Sequence, residues 1–113
     1  MPKYTILIYE SEEYYANMAP EGLAAVMDAH GAFTKAVVDV GGQILGGEAL
    51  KDTETATSIR GGVVTDGPFF ETKEVLGGYY LIEARDLDQA VEIAKGCPAA
   101  GGGVEVRPVM EFD

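Results

Sequence analysis

The chain opens on "YTILIY" at residues 4 to 9, rich in β-branched and aromatic side chains and followed by the polar run "ESEE". That pattern predicts a buried strand. Strand periodicity puts Tyr4, Ile6 and Ile8 on one side and Thr5, Leu7 and Tyr9 on the other, so both faces are largely apolar. "ESEEYYANMAPEG" then reads as a polar loop carrying Tyr14 and Tyr15, ending in a proline suited to a first helical turn. From about Pro20 to Val40 the apolar residues fall at Leu23, Val26, Phe33, Val37 and Val40, the stripe of an amphipathic helix. Gly41-Gly42 stops it. Position 30 completes the stripe, and it is a histidine.

Residues 43 to 50, "QILGGEAL", suggest a second strand interrupted by Gly46-Gly47. "TATSIR" (55 to 60) and "GGVVT" (61 to 65) suggest a short hairpin arm, and "VLGGYYLIEA" (75 to 84) is a further strand. Asp86, with Gln89 three residues on, forms a capping-box pattern for a second helix. Leu87, Ala90, Val91 and Ala94 are its expected inward face, with Lys95 in the last turn and Gly96 ending it. "GGGVEVRPVMEF" (101 to 112) closes the chain as a strand. The core order is β-α-β-β-α-β with an inserted hairpin, which predicts an α+β, ferredoxin-like sheet with both helices on one face. Pro108 agrees, because a strand proline prefers an edge, and the last strand is an edge in the order 4-1-3-2.

Such a sheet leaves its other face bare, and here that face is not uniformly polar. A monomer would expose more apolar surface than soluble proteins usually tolerate. A homodimer packed sheet on sheet resolves this with an isologous interface. The length of 113 residues fits one domain, spanning 1–113. A formal net charge of −11 argues against a nucleic-acid partner, which needs a basic face. No stretch has the roughly 18 uninterrupted apolar residues of a membrane span, so no membrane partner is expected. Met1-Pro2-Lys3-Tyr4 runs straight into a strand with no secretory pattern, which places the expected location in the cytoplasm. Cys97 is the single cysteine and rules out an internal disulfide.

His30 is the single histidine. A half-buried histidine bonded to a backbone carbonyl would account for it without function; the sharper reading is a general base at the helix–sheet boundary, with Asp66, Glu71 or Glu74 as partner. Asp66-Gly67-Pro68-Phe69 has the chemistry of a rigid turn, and Phe69 and Phe70 offer one ring to anchor it and one to meet a ligand. Gly77-Gly78 inside a strand marks a bulge or a close approach. Arg60 and Arg107 could hold a carboxylate, or be exposed strand residues. The glycine run at 101 to 103 lacks the helix and lysine of a phosphate loop, no Gly-x-Ser-x-Gly elbow occurs, and one histidine with one cysteine makes no zinc site. No cofactor or metal is expected.

"VVTDGPFFETKEVLGGYYLIEARDLDQAVEIAKGCP" followed by "VEVRPVMEF" resembles the DGPF-type members of the YCII-related family over nearly the whole chain. The resemblance implies a ferredoxin-like dimeric α+β barrel. Such proteins are similar in fold to muconolactone isomerase and carry a histidine paired with an aspartate, and His30 matches the histidine. An Asp-Pro pair of the shorter members aligns with Cys97-Pro98, which leaves Asp66 as the substitute acid. The implied site therefore has His30 and Asp66 in proton transfer on a small organic molecule, with Gly67, Pro68, Phe69 and Tyr80, and Tyr14 or Tyr15, lining the pocket. One alternative is a non-catalytic ligand-sensing or accessory module, since some members are fused to, or encoded beside, sigma-factor-type transcription regulators; another is a structural dimer with no ligand, since every feature also has a packing explanation.

Overall fold

The computed structural model describes residues 1–112. Its main sheet is built from β1 (Lys3–Ser11), β2 (Gln43–Ala49), β5 (Glu74–Glu83) and β6 (Gly103–Pro108), in the order β2-β5-β1-β6. All three pairings are antiparallel. Counting these four strands alone, the order is fourth, first, third, second, as expected of a ferredoxin-like sheet. β1 and β5, the most apolar strands, are central, and Pro108 lies opposite Tyr4 on the β6 edge, where its missing N–H breaks no ladder.

Helices α2 (Pro20–Asp39) and α3 (Leu87–Ala94) cover one face. Tyr4, Ile6 and Ile8 of β1 meet Phe33 and Val37 of α2, Ala90, Ile93 and Ala94 of α3, and Ile82 of β5 in a single core. The opposite face carries Leu7 and Tyr9 of β1 and Tyr79 and Leu81 of β5, with nothing among the described residues packed over it. The overall extents of 43 × 41 × 18 Å are those of a slab one sheet and one helix layer thick. The radius of gyration, 15.4 Å, exceeds the about 13 Å of a compact chain of this size. Part of the excess is an arm, β3 (Thr57–Arg60) paired with β4 (Val63–Asp66), which forms its own two-stranded sheet.

Three expectations change. The segment read as a polar loop contains a short helix, α1 (Glu12–Ala16), because the Ser11 side chain accepts from the Tyr14 N–H at 3.2 Å and caps it. On α2 the apolar stripe does two jobs: Phe33 and Val37 are buried in the core, while Leu23 and Val40 are largely exposed. On α3 the inward face is Gln89, Ala90, Ile93 and Ala94, and Leu87 and Val91 lean outward. The capping box forms nonetheless: Asp86 Oδ1 accepts from Gln89 N–H at 2.8 Å, and Gln89 Oε1 accepts from Arg85 N–H at 2.6 Å. Gln89 is buried because its amide also donates to the Val40 carbonyl at 2.9 Å, tying α3 to the end of α2.

Candidate functional site

His30 sits midway along α2, on the same stripe as Phe33 and Val37 but past the end of the closed core. Its Nδ1 is 2.7 Å from the Tyr80 hydroxyl. Tyr80 comes from β5, on the helix-facing side together with Ile82, and its ring also packs against Phe33 at a centroid distance of 5.0 Å. The phenol thus stands between core and site: its ring is held by packing and its hydroxyl is spent on the imidazole. Burial, followed by the nearby Cys97, pushes the Tyr80 hydroxyl above the usual phenol range, so it keeps its proton at neutral pH. Two arrangements satisfy the pair. Either the phenol donates to Nδ1 and Nε2 carries the proton, or Nδ1–H donates to the phenol oxygen and Nε2 is a free base.

The Tyr80 ring needs space, and β2 supplies it at Gly47. A Cβ there would lie 2.8 Å from Tyr80 Cδ1 and 2.7 Å from the Tyr79 carbonyl oxygen. Gly47, one of the two glycines that interrupt the second strand, therefore serves the site directly.

Between the first half of α2 and the sheet lies an open-sided cavity of about 950 Å³. Leu23, Val26, Met27 and His30 line it from α2, Gly77, Gly78 and Tyr80 from β5, and residues 50–52 from the loop after β2. The exposed half of the helix stripe is thus the wall of a cavity. Glu10 and Tyr15 line it as well, and the Tyr15 hydroxyl donates to Glu10 Oε2 at 2.7 Å. The loop is pinned at its far end by Glu12, which accepts from Thr53 N–H at 2.7 Å and from Thr53 Oγ1–H at 2.6 Å. Those two bonds hold the Glu12 carboxyl below the usual range.

The DGPF residues lie elsewhere in the chain. Asp66 ends β4, exposed and opposite Thr57. Gly67, at φ 103°, adopts the left-handed backbone that glycine tolerates, and closes the base of the arm by donating its N–H to the Ala56 carbonyl at 2.8 Å. Phe69 and Phe70 meet edge to face at 5.0 Å, and the Arg60 guanidinium lies 4.1 Å over the Phe69 ring. None of Asp66, Gly67, Pro68 and Phe69 lines the His30 cavity within the chain. Of the residues singled out in the sequence, the structure brings together His30, Tyr80, Tyr15 and Gly77-Gly78.

Cys97 is buried, and burial followed by the Glu10 charge pushes its thiol up to about 12, the behaviour of a packing residue rather than a nucleophile. No group of three or more His, Cys, Asp or Glu side chains is placed to hold a metal among the described residues. Neither Glu10 nor Gly47 stands among the site residues expected from the sequence. A signal for Glu10 was present: it continues the inward row Tyr4, Ile6, Ile8, where a carboxylate is out of place unless it has a partner.

The family model of the YCII-related domain matches residues 2–113. An uncharacterized protein of Rhizobium meliloti (strain 1021) is 36% identical over 117 residues, covering 96% of this chain and 93% of that protein. Both likenesses run from the first strand through the histidine-bearing helix to the last strand. The chain belongs to the YCII-related family.

Proposed function

We propose that the protein binds a small organic molecule in the cavity beside His30 and moves a proton on it without a cofactor, as an isomerase- or lyase-like acid–base enzyme. The observation that carries this reading is the His30–Tyr80 pair at the wall of a cavity of about 950 Å³, within the size range of small-molecule sites. Proton transfer needs a positioned group that can both take up and release a proton, and an imidazole with Nδ1 held by a phenol leaves Nε2 for that role. The protein acts as a cytoplasmic homodimer in this reading. The bare sheet face with Leu7, Tyr9, Tyr79 and Leu81 supports the dimer. Asp66 and Phe69, exposed on the arm, remain proposed site residues that a second copy would have to bring to the cavity.

One observation favours the alternative of a non-catalytic ligand-sensing module. His30 is bonded to a phenol and to no carboxylate among the described residues, so the histidine–acid pair that proton transfer commonly uses is not formed within the chain. The test is solvent deuterium incorporation into a compound first found to raise the melting temperature. Exchange by the wild type that is lost in His30→Gln supports proton transfer. Tight binding with no exchange in the wild type contradicts it and leaves the sensing module.

A further inference from the structure

Glu10 has a geometry that its place in the core does not require. It is half-buried at the end of the inward row of β1, beyond the closed core and on the wall of the cavity. Its Oε2 accepts twice, from the Tyr15 hydroxyl at 2.7 Å and from the Ala100 N–H at 3.2 Å. Its Oε1 accepts from nothing among the described residues. That free oxygen lies over Gly77, 2.5 Å from where a Cβ at that position would be. Gly77 is also where β5 bulges: Ile8 faces Gly78 while Tyr9 faces Leu76. The strand has both an extra residue and no side chain at the one spot where the carboxylate lies.

We infer that Glu10 is a ligand anchor, its free oxygen accepting from an ammonium or hydroxyl group of the bound molecule. The ligand class is therefore a neutral or cationic organic molecule bearing an amine or alcohol, and not an organic acid or a phosphate. This deepens the proposed function and rests on it. Two hydrogen bonds hold the carboxylate before the ligand arrives, so little side-chain freedom is lost on binding. The Tyr15 phenol, raised by burial and by Glu10 itself, stays protonated and remains a donor to the carboxylate. The rest of the lining has the same sign: Glu12, Asp52 and Glu54 stand against Lys51. A bound anion would meet this excess of negative charge, with Lys51 alone opposing it.

Benzylamine and benzoate, alike in size and opposite in charge, test this on isotope-labelled protein at neutral pH. Benzylamine is expected to shift the Gly77 amide and the His30 ring signals at concentrations at least about tenfold lower than benzoate. Glu10→Gln keeps the shape and an acceptor for Tyr15. It is expected to weaken benzylamine by about ten- to a hundredfold, the worth of one charge-assisted hydrogen bond. Should that variant fail to fold, the comparison of the two probes on the wild type still decides. Equal or tighter binding of benzoate overturns the inference, as does undiminished benzylamine binding by a folded Glu10→Gln protein that still shifts His30; either outcome leaves the cavity reading intact. Silence of both Gly77 and His30 with both probes overturns the inference and the cavity reading together.

Discussion

The hydrogen bond between His30 and Tyr80 joins residues 50 positions apart, and it sets what the imidazole can do. Tyr80→Phe removes the hydroxyl but keeps the ring that packs on Phe33, so the fold is expected to lose about 1 kcal/mol, the net worth of one such bond. Denaturant unfolding measures that loss. The ring nitrogens of His30 are expected to change their tautomer balance in the same variant, read from nitrogen chemical shifts; unchanged shifts would deny the pairing. At this scale the sequence was informative in kind but not in partner. His30 stood out because it was the single histidine on an apolar stripe, and Tyr80 was among the expected pocket residues. The pairing itself was hidden because hydrogen-bond partners are set by register between α2 and β5, which no local pattern encodes. Asp66 looked suitable by residue type, yet its strand belongs to the arm and carries it away from His30 within the chain.

Each element contributes to the cavity by what it omits or pins. Gly47 of β2 leaves room for the Tyr80 ring, and a methyl group there must push on either that ring or the Tyr79 carbonyl. Gly47→Ala is expected to destabilise the fold by about 1–3 kcal/mol, a usual range for overpacking, and to displace Tyr80 from His30. Thermal unfolding together with the His30 ring shifts checks both parts. The loop after β2 is held by the carboxylate of Glu12 at the start of α1. Its pKa is depressed in the fold, so the clasp is fully formed above the ordinary carboxylate range and is lost as pH falls through the depressed folded value. The Thr53 amide proton is expected to report this as an acid titration with a midpoint below that of an ordinary glutamate. A Thr53 amide that stays constant down to pH 2 would contradict the clasp. Most elements were legible beforehand, because the strand and helix periods are strong in "YTILIY", in residues 20 to 40 and in "VLGGYYLIEA". Helix α1 was missed because five residues are too few for a period, and its signal was the Ser11 cap alone. The division of the α2 stripe between core and cavity was also hidden, since periodicity gives a face and not what lies opposite it.

At the scale of the whole molecule, a slab 18 Å thick has one face with no cover, and Leu7, Tyr9, Tyr79 and Leu81 lie on it. Light scattering at micromolar concentration is expected to return the mass of two chains, and a monomer there would rule out the sheet-on-sheet dimer. The net charge of −11 opposes association of two copies, so moderate salt is expected to strengthen it. Strand order and the bare face were both foreseeable from the element order, since few topologies place two apolar strands centrally and a proline-bearing strand at an edge. The cavity was not, because it arises where α2 overhangs the end of the sheet and the loop after β2 folds back to α1. Its identity as a ligand site is tested most directly by a thermal-shift screen of small organic compounds, run in parallel on the wild type and His30→Gln. Compounds that raise the melting temperature of the wild type are expected to lose most of that effect in the variant. Equal stabilisation of the two proteins by every active compound would place the binding elsewhere and contradict the His30 site.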